Sequence, residues 1–192
     1  GSSTGGVEAL RDIFLRLPAN SPPIVVTQHM PESFTRSFAI RLNGLSAITV
    51  MEAQHHQRLQ PGHAYIAPGG TRHLKLARLG QDYVCKLEEG PAVSNHCPSV
   101  DMLFRSVAQA AGPNAVGVLL TGMGKDGAAG LKSMRDAGAY TIGQNKESCV
   151  VYGMPQAAAK IGATCIELPL NDIPAAMLRS CERLASAKEM TP

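Results

Sequence analysis

Val116-Gly117-Val118-Leu119-Leu120, continued by Thr121-Gly122-Met123-Gly124-Lys125-Asp126-Gly127, decides the fold class. The first five residues form a short apolar run of the kind that a parallel sheet buries on both faces. A glycine-rich loop follows, then helical spacing over residues 128–137, then a second short strand over 139–143. Strand, helix and strand in that order predict a right-handed crossover between parallel strands. The alternation extends outward in both directions. Upstream, residues 7–17 place Leu10, Ile13, Phe14 and Leu17 on one helical face and stop at Pro18. Residues 23–28 read as a buried strand, 33–42 as a helix with Phe34, Phe38 and Leu42 on one face, and 48–51 as a strand. Residues 99–111 form a helix with Ser99 as its N-cap. Downstream, Pro155 opens a helix over 155–160, a strand covers 164–168, and a last helix covers 173–184. The expected architecture is α/β: a doubly wound, mostly parallel sheet flanked by helices.

Residues 60–89 break the alternation. Pro61-Gly62, Pro68-Gly69-Gly70 and Leu79-Gly80-Gln81-Asp82 are turn signals; between and after them lie Ala64-Tyr65-Ile66, His73 to Arg78 and Tyr83 to Leu87, of which the last two alternate apolar and polar side chains. A small antiparallel β-hairpin insertion is expected there.

Composition excludes several function classes. With 192 residues, 44% hydrophobic and 17% charged, the chain has material for one domain with a real core. Eighteen Lys and Arg against fifteen Asp and Glu give +3, with no basic cluster, so nucleic acid is not an expected partner. Aromatic residues are 4% and Trp is absent, which argues against base-stacking surfaces. No apolar run approaches the roughly 18 residues of a membrane span, so membrane insertion is not expected. The five cysteines, Cys85, Cys97, Cys149, Cys165 and Cys181, are odd in number and widely spaced, without a C-x-x-C pair. That points away from a disulfide framework or structural zinc and toward a reduced, cytoplasmic protein. The start at Gly1, without Met, on a glycine-rich turn reads as a piece of a longer protein.

Three loops at strand ends carry residues suited to chemistry, and ligands of open parallel sheets gather at such ends. Gly1-Ser2-Ser3-Thr4-Gly5 reads as G-x-S-x-G and sets Ser3 on a tight turn opening a helix, whose free N–H groups can stabilise an oxyanion. Taken alone, such a loop is more often a plain turn or a phosphate cradle. Thr27-Gln28-His29-Met30-Pro31 places His29 just past a buried strand, although a lone His is usually structural. Asp126 lies at the mouth of the helix over 128–137, where capping is the ordinary use of an Asp. Together the loops supply Ser, His and Asp in that order. Ser3 needs a base to attack at neutral pH, His29 can take its proton, and Asp126 can orient the imidazole. The order differs from the Ser–Asp–His of α/β-hydrolases.

A competing reading makes Gly122 to Gly127 a G-x-G-x-x-G fingerprint and the chain a Rossmann-like nucleotide-binding module. Asp126 beside a pyrophosphate and the missing ribose-binding acid after 142–144 argue against it. A third reading, a docking domain, requires an exposed apolar patch. His55 and His56 fall in a polar, solvated segment, His96-Cys97 lacks a partner pair for a metal, and Asp101 suits a helix first turn. Met30, Met123 and Met154 fall in strand-end loops and suit an adaptable apolar groove.

On these residues the sequence resembles the catalytic domain of the chemotaxis receptor methylesterases, the CheB family. The resemblance rests on Ser2 to Gly6, Thr27 to Pro31, Phe34 to Ala39, Pro61 to Gly69, Pro98 to Asp101, Leu120 to Gly124, Asp126 to Ala128 and Gly153 to Pro155, in family order. It implies a triad of Ser3, His29 and Asp126, with Thr4 and Met123 near the oxyanion site and substrate groove. It implies hydrolysis of glutamate methyl esters on chemotaxis receptors, releasing methanol, together with deamidation of receptor glutamines. No metal or organic cofactor is implied. The implied setting is cytoplasmic two-component signalling and receptor adaptation, with 1–192 as the catalytic domain and an N-terminal receiver domain as partner in the full-length protein. His96 matches a family His without an assigned role, and Cys97 stands where a basic residue is expected. A strand that aims Ser3 is expected ahead of the nucleophile turn.

Overall fold

The computed structural model describes residues 1–189. Two parallel half-sheets lie side by side. One contains β1 (Ile24–Val26), β2 (Thr49–Glu52) and β3 (His63–Ile66), with β3 in the middle. The other contains β6 (Val116–Leu119), β7 (Tyr140–Gln144) and β8 (Ile166–Leu168), with β7 in the middle. Residues 1–2 join them. Ser2 N–H donates to Thr27 O at 3.0 Å and Leu120 N–H donates to Gly1 O at 2.9 Å, so this short segment contacts the chain on both sides. Of the strand expected ahead of Ser3, these two residues are what the described chain contains. An apolar cavity of about 320 Å³ is lined by Gly1, Ile24, Val25, Val116 and Val118 together with Phe14 and Phe104.

Helices cover both faces, as the doubly wound reading requires. On one face, α1 (Gly6–Phe14), α2 (Glu32–Leu45) and α6 (Ile173–Glu189) form a core through Leu10, Ile13, Phe14, Phe38, Leu42 and Ile173. On the other, α3 (Val100–Ala110), α4 (Ala128–Asp136) and α5 (Met154–Lys160) form a second core through Leu103, Phe104, Leu131, Met134 and Met154. Strand alternation feeds both: Ala64 and Ile66 face the first core, Tyr65 and Ala67 the second. Ser99 caps α3 as expected, accepting from the Met102 N–H.

The antiparallel insertion is narrower than 60–89. β3 belongs to the parallel sheet, and only β4 (Arg72–Leu79) and β5 (Asp82–Glu89) form the hairpin. Sequence pattern cannot separate a short buried parallel strand from a hairpin strand when both are bounded by Pro-Gly turns. The hairpin turns at Gly80, where φ of +63° suits glycine. Leu74 opposite Leu87 and Leu76 opposite Cys85 cover the α3 core. Burial pushes the Cys85 thiol up to about 12, leaving it an inert core residue.

Ser106 fastens the hairpin to α3. Its buried Oγ accepts from Leu76 N–H at 2.8 Å and donates to Leu103 O at 2.6 Å. Ser106→Ala leaves the Leu76 N–H buried without an acceptor, a loss of about 1–3 kcal/mol. Urea unfolding is expected to show a lower midpoint at unchanged slope. An unchanged midpoint would mean the contact adds nothing.

Candidate active site

The first and second loops meet in sheet register. Ser2 pairs with Gln28 in parallel, and His29 N–H donates to Ser2 O at 3.1 Å. Ser3 and His29 therefore occupy neighbouring positions on adjacent chains, with Cα atoms about 5 Å apart. Alternation sends Ser2 and Gln28 to the α1 side, where Ser2 Oγ donates to Gln28 Oε1 at 2.5 Å. The Gln28 amide donates to both Ser3 O and His29 O, each at 3.0 Å, and so fixes one backbone against the other. A Cβ at Gly6 would lie 2.1 Å from Gln28 Oε1, so glycine is required there.

The third loop closes over the first. Thr121 Oγ1 donates to Thr4 O at 2.9 Å, and Ser3 N–H donates to Thr121 O at 3.0 Å. The Gly122 carbonyl accepts from the Gly153 and Met154 amides at 3.1 and 2.8 Å. A Cβ at Gly122 would sit 2.8 Å from Ser3 Cβ, so this glycine permits the close approach of the two loops. Thr4 and Met123 are exposed beside Ser3, and neither of their amides donates to an acceptor among the described residues. Met154 is fully buried at the start of α5, and Met30 packs into the first core, so of the three loop methionines only Met123 offers an exposed apolar surface.

Asp126 does not cap the helix it precedes. Gly127, at φ +89°, occupies the α4 N-cap without a side-chain cap. The Asp126 carboxylate turns instead to the N-terminus of α3. Oδ1 accepts from Ser99 Oγ at 2.7 Å and Asp101 N–H at 3.1 Å; Oδ2 accepts from Val100 N–H at 2.7 Å. Oδ2 also meets His29 Nε2 at 2.7 Å. Burial alone raises the pKa of this carboxyl, but bonds from His29, Ser99, Val100 and Asp101 outweigh it and hold the group below its ordinary value. An ionised carboxylate only accepts, so the His29 proton sits on Nε2 and Nδ1 carries the free lone pair.

The three predicted residues are therefore gathered, with one link made and one open. His29 to Asp126 is formed. His29 Nδ1 is buried without a partner, so its link to Ser3 Oγ is not.

Other predictions resolve differently. Asp101 lies in the first turn of α3 as expected, but its carboxylate accepts from Gly130 N–H of α4 at 2.6 Å. That carboxylate occupies the helix end where a dinucleotide fingerprint would hold pyrophosphate, and Asp126 is turned inward beside it. His55 and His56 are exposed. Cys97 is half-buried, and burial raises its thiol. No cluster of three or more His, Cys, Asp or Glu suited to a metal ion occurs among the described residues. Two features had no signal in the sequence reading: Gln28 as a backbone clamp, and the His96 ring stacked on His29 with centroids 3.5 Å apart.

Comparison with known proteins follows the same lines. A sequence model of the CheB methylesterase family matches residues 1–177. A Bordetella avium protein-glutamate methylesterase/protein-glutamine glutaminase 2 is 61% identical over 170 residues, 88% of this chain and 48% of that protein. An Escherichia coli O157:H7 protein-glutamate methylesterase/protein-glutamine glutaminase is 57% identical over 178 residues, 93% of this chain and 51% of that protein. The chain thus spans about half the length of these relatives. The crystal structure of the Thermotoga maritima CheB methylesterase catalytic domain superposes with a TM-score of 0.90 at 40% identity, covering 93% of this chain and 95% of that one.

The depressed Asp126 pKa has a pH signature. A carboxyl whose folded pKa lies below its unfolded value, about 3.9, stabilises the fold above that value. The contribution is lost as pH falls through the folded pKa. Asp126→Asn cannot accept from all four donors and is expected to cost roughly 1–3 kcal/mol at pH 7. In denaturant titrations the gap between the two proteins should narrow as pH drops below about 4. A gap independent of pH would locate the loss elsewhere.

Proposed function

The chain belongs to the CheB methylesterase family, and from that premise we propose that it hydrolyses glutamate methyl esters on chemotaxis receptors through Ser3, His29 and Asp126. The observation that carries the reading is the buried His29–Asp126 pair at 2.7 Å, whose free Nδ1 lies on the chain next to Ser3. Nδ1 takes the Ser3 proton as Oγ attacks the ester carbonyl. The imidazolium formed is stabilised by Asp126, which stays ionised because four donors already hold it. The tetrahedral oxyanion is met by the Thr4 and Met123 amides at the mouth of α1; one such donor is worth ~10² to 10³ in turnover. Ser3 N–H is not counted among them, since Thr121 O accepts it. Methanol leaves with the proton from Nδ1. Water, activated by the same nitrogen, then releases glutamate and restores Ser3.

The same acyl-enzyme route converts a receptor glutamine to glutamate with ammonia as leaving group, as the double names of the relatives describe for those proteins. In this reading 1–192 is the catalytic domain, a receiver domain in the full-length protein controls access to it, and the setting is the cytoplasmic face of receptor clusters. No helix among the described residues is long and apolar enough to cross a membrane.

Ser3→Ala is expected to keep the wild-type unfolding midpoint and to abolish methanol release from methylated receptor membranes. Release at the wild-type rate from that variant would sink the assignment. Saturable micromolar binding of NAD or ATP in calorimetry would instead favour the nucleotide-binding reading.

A further inference from the structure

The His96 ring lies face to face with the His29 ring, centroids 3.5 Å apart and planes within 10°. Its backbone is locked by a tight reverse turn. Val93 and His96 exchange two hydrogen bonds of 3.0 Å, and both residues between them, Ser94 and Asn95, have positive φ. Three residues further on, the same segment supplies Ser99 Oγ and the Val100 and Asp101 amides that bind Asp126. Residues 93–101 thus touch both His29 and the carboxylate that His29 binds.

His29 needs such a contact. Its bond to Asp126 fixes one ring atom, and rotation of the ring about the Cβ–Nε2 line would still swing Nδ1 toward or away from Ser3. A flat ring pressed on one face removes that freedom.

We infer that His96 is a positioning residue: by stacking on His29 it sets the plane in which Nδ1 meets the Ser3 hydroxyl. The inference rests on the reading of Ser3 as nucleophile and His29 as base. A neutral imidazole suits the place, because a cation there would repel the imidazolium that forms during turnover. Burial, then the neighbouring His29, hold His96 below the usual His pKa, against an opposing pull from Asp126. A neutral aromatic face also attracts the cation beneath it.

The test compares wild type, Ser3→Ala, His96→Ala and His96→Phe for methanol release from methylated receptor membranes, with unfolding midpoints measured alongside. His96→Ala is expected to lower kcat by roughly 10- to 100-fold, as a displaced catalytic group does, with KM nearly unchanged. His96→Phe keeps a flat ring and is expected to recover most of that loss. Nitrogen-15 NMR of the imidazoles in the Ser3→Ala background gives a readout free of turnover. His29 should stay protonated at Nε2 in every variant, because Asp126 fixes that proton, and its ring signals should be sharp with His96 or Phe present and broadened by ring motion with Ala. Equal loss in the Phe and Ala variants, or a wild-type kcat for Ala, overturns the role of His96. Equally sharp His29 signals in every variant overturn it too; where His96→Ala folds poorly, a His96→Phe kcat no higher than that of a His96→Leu variant with the wild-type midpoint does the same. An active Ser3→Ala, by contrast, fails the nucleophile assignment itself.

Discussion

One buried carboxylate holds the site together. Asp126 is 1% exposed and takes four donors from two directions: three from the N-terminal end of α3 and one from His29. The positive end of a helix and an imidazole N–H are what an isolated buried carboxylate needs to remain ionised. The consequence runs both ways. α3 has its first-turn amides satisfied by a loop far away in the chain, and His29 acquires a fixed tautomer. Asp101, in the first turn of the same helix, performs the matching service for α4 through Gly130 N–H. Two carboxylates thus join the ends of α3 and α4, and the His29–Asp126 pair is a by-product of how those helices are fastened.

The other half of the site depends on close backbone approach. Ser3 lies beside His29 because residues 1–3 run in register between the two half-sheets, and Gln28 bonds both carbonyls. Gly122 admits Ser3 from the opposite side, where any Cβ would meet it at 2.8 Å. The glycines of both loops are therefore packing requirements at a junction of three chain segments. Gly6 and Gly122 serve approach, while Gly5 and Gly127 serve positive φ at the helix entrances, +80° and +89°.

Much of this was legible in the amino-acid sequence, for definite reasons. Parallel strands buried on both faces give continuous apolar runs, so β1 and β6 stood out, and amphipathic spacing located the helices to within a few residues. Ser3, His29 and Asp126 could be picked because each lies in a strand-end loop rich in small residues. What was hidden was partnership. Asp126 looks like the cap of α4 because it precedes that helix in the chain, whereas it binds α3, whose contact with it is settled only by tertiary packing. Gln28 and His96 fall in matched segments, but nothing there shows their contacts: one amide and one ring face meet atoms distant in the chain. The bounds of the insertion blur at β3, because three apolar residues, Ala64 to Ile66, between two Pro-Gly turns carry no sign of which sheet they join.

The use of the two ring nitrogens follows from the same topology. In the familiar serine hydrolase arrangement Nδ1 serves the carboxylate and Nε2 the nucleophile. Here the carboxylate is on Nε2. Nδ1 lies close to the His backbone and Nε2 reaches further from it. Ser3 is the next-door neighbour of His29 across a parallel strand pair, at about 5 Å between Cα atoms, so the near nitrogen is the one that can face it. Asp126 arrives from another loop beyond the end of the sheet, within reach of the far nitrogen. With Ser3 as the proposed nucleophile and His29 as the proposed base, their placement on adjacent strands selects the reversed ring orientation. It also makes the plane of the ring, more than its position, the variable that the surrounding residues have to hold.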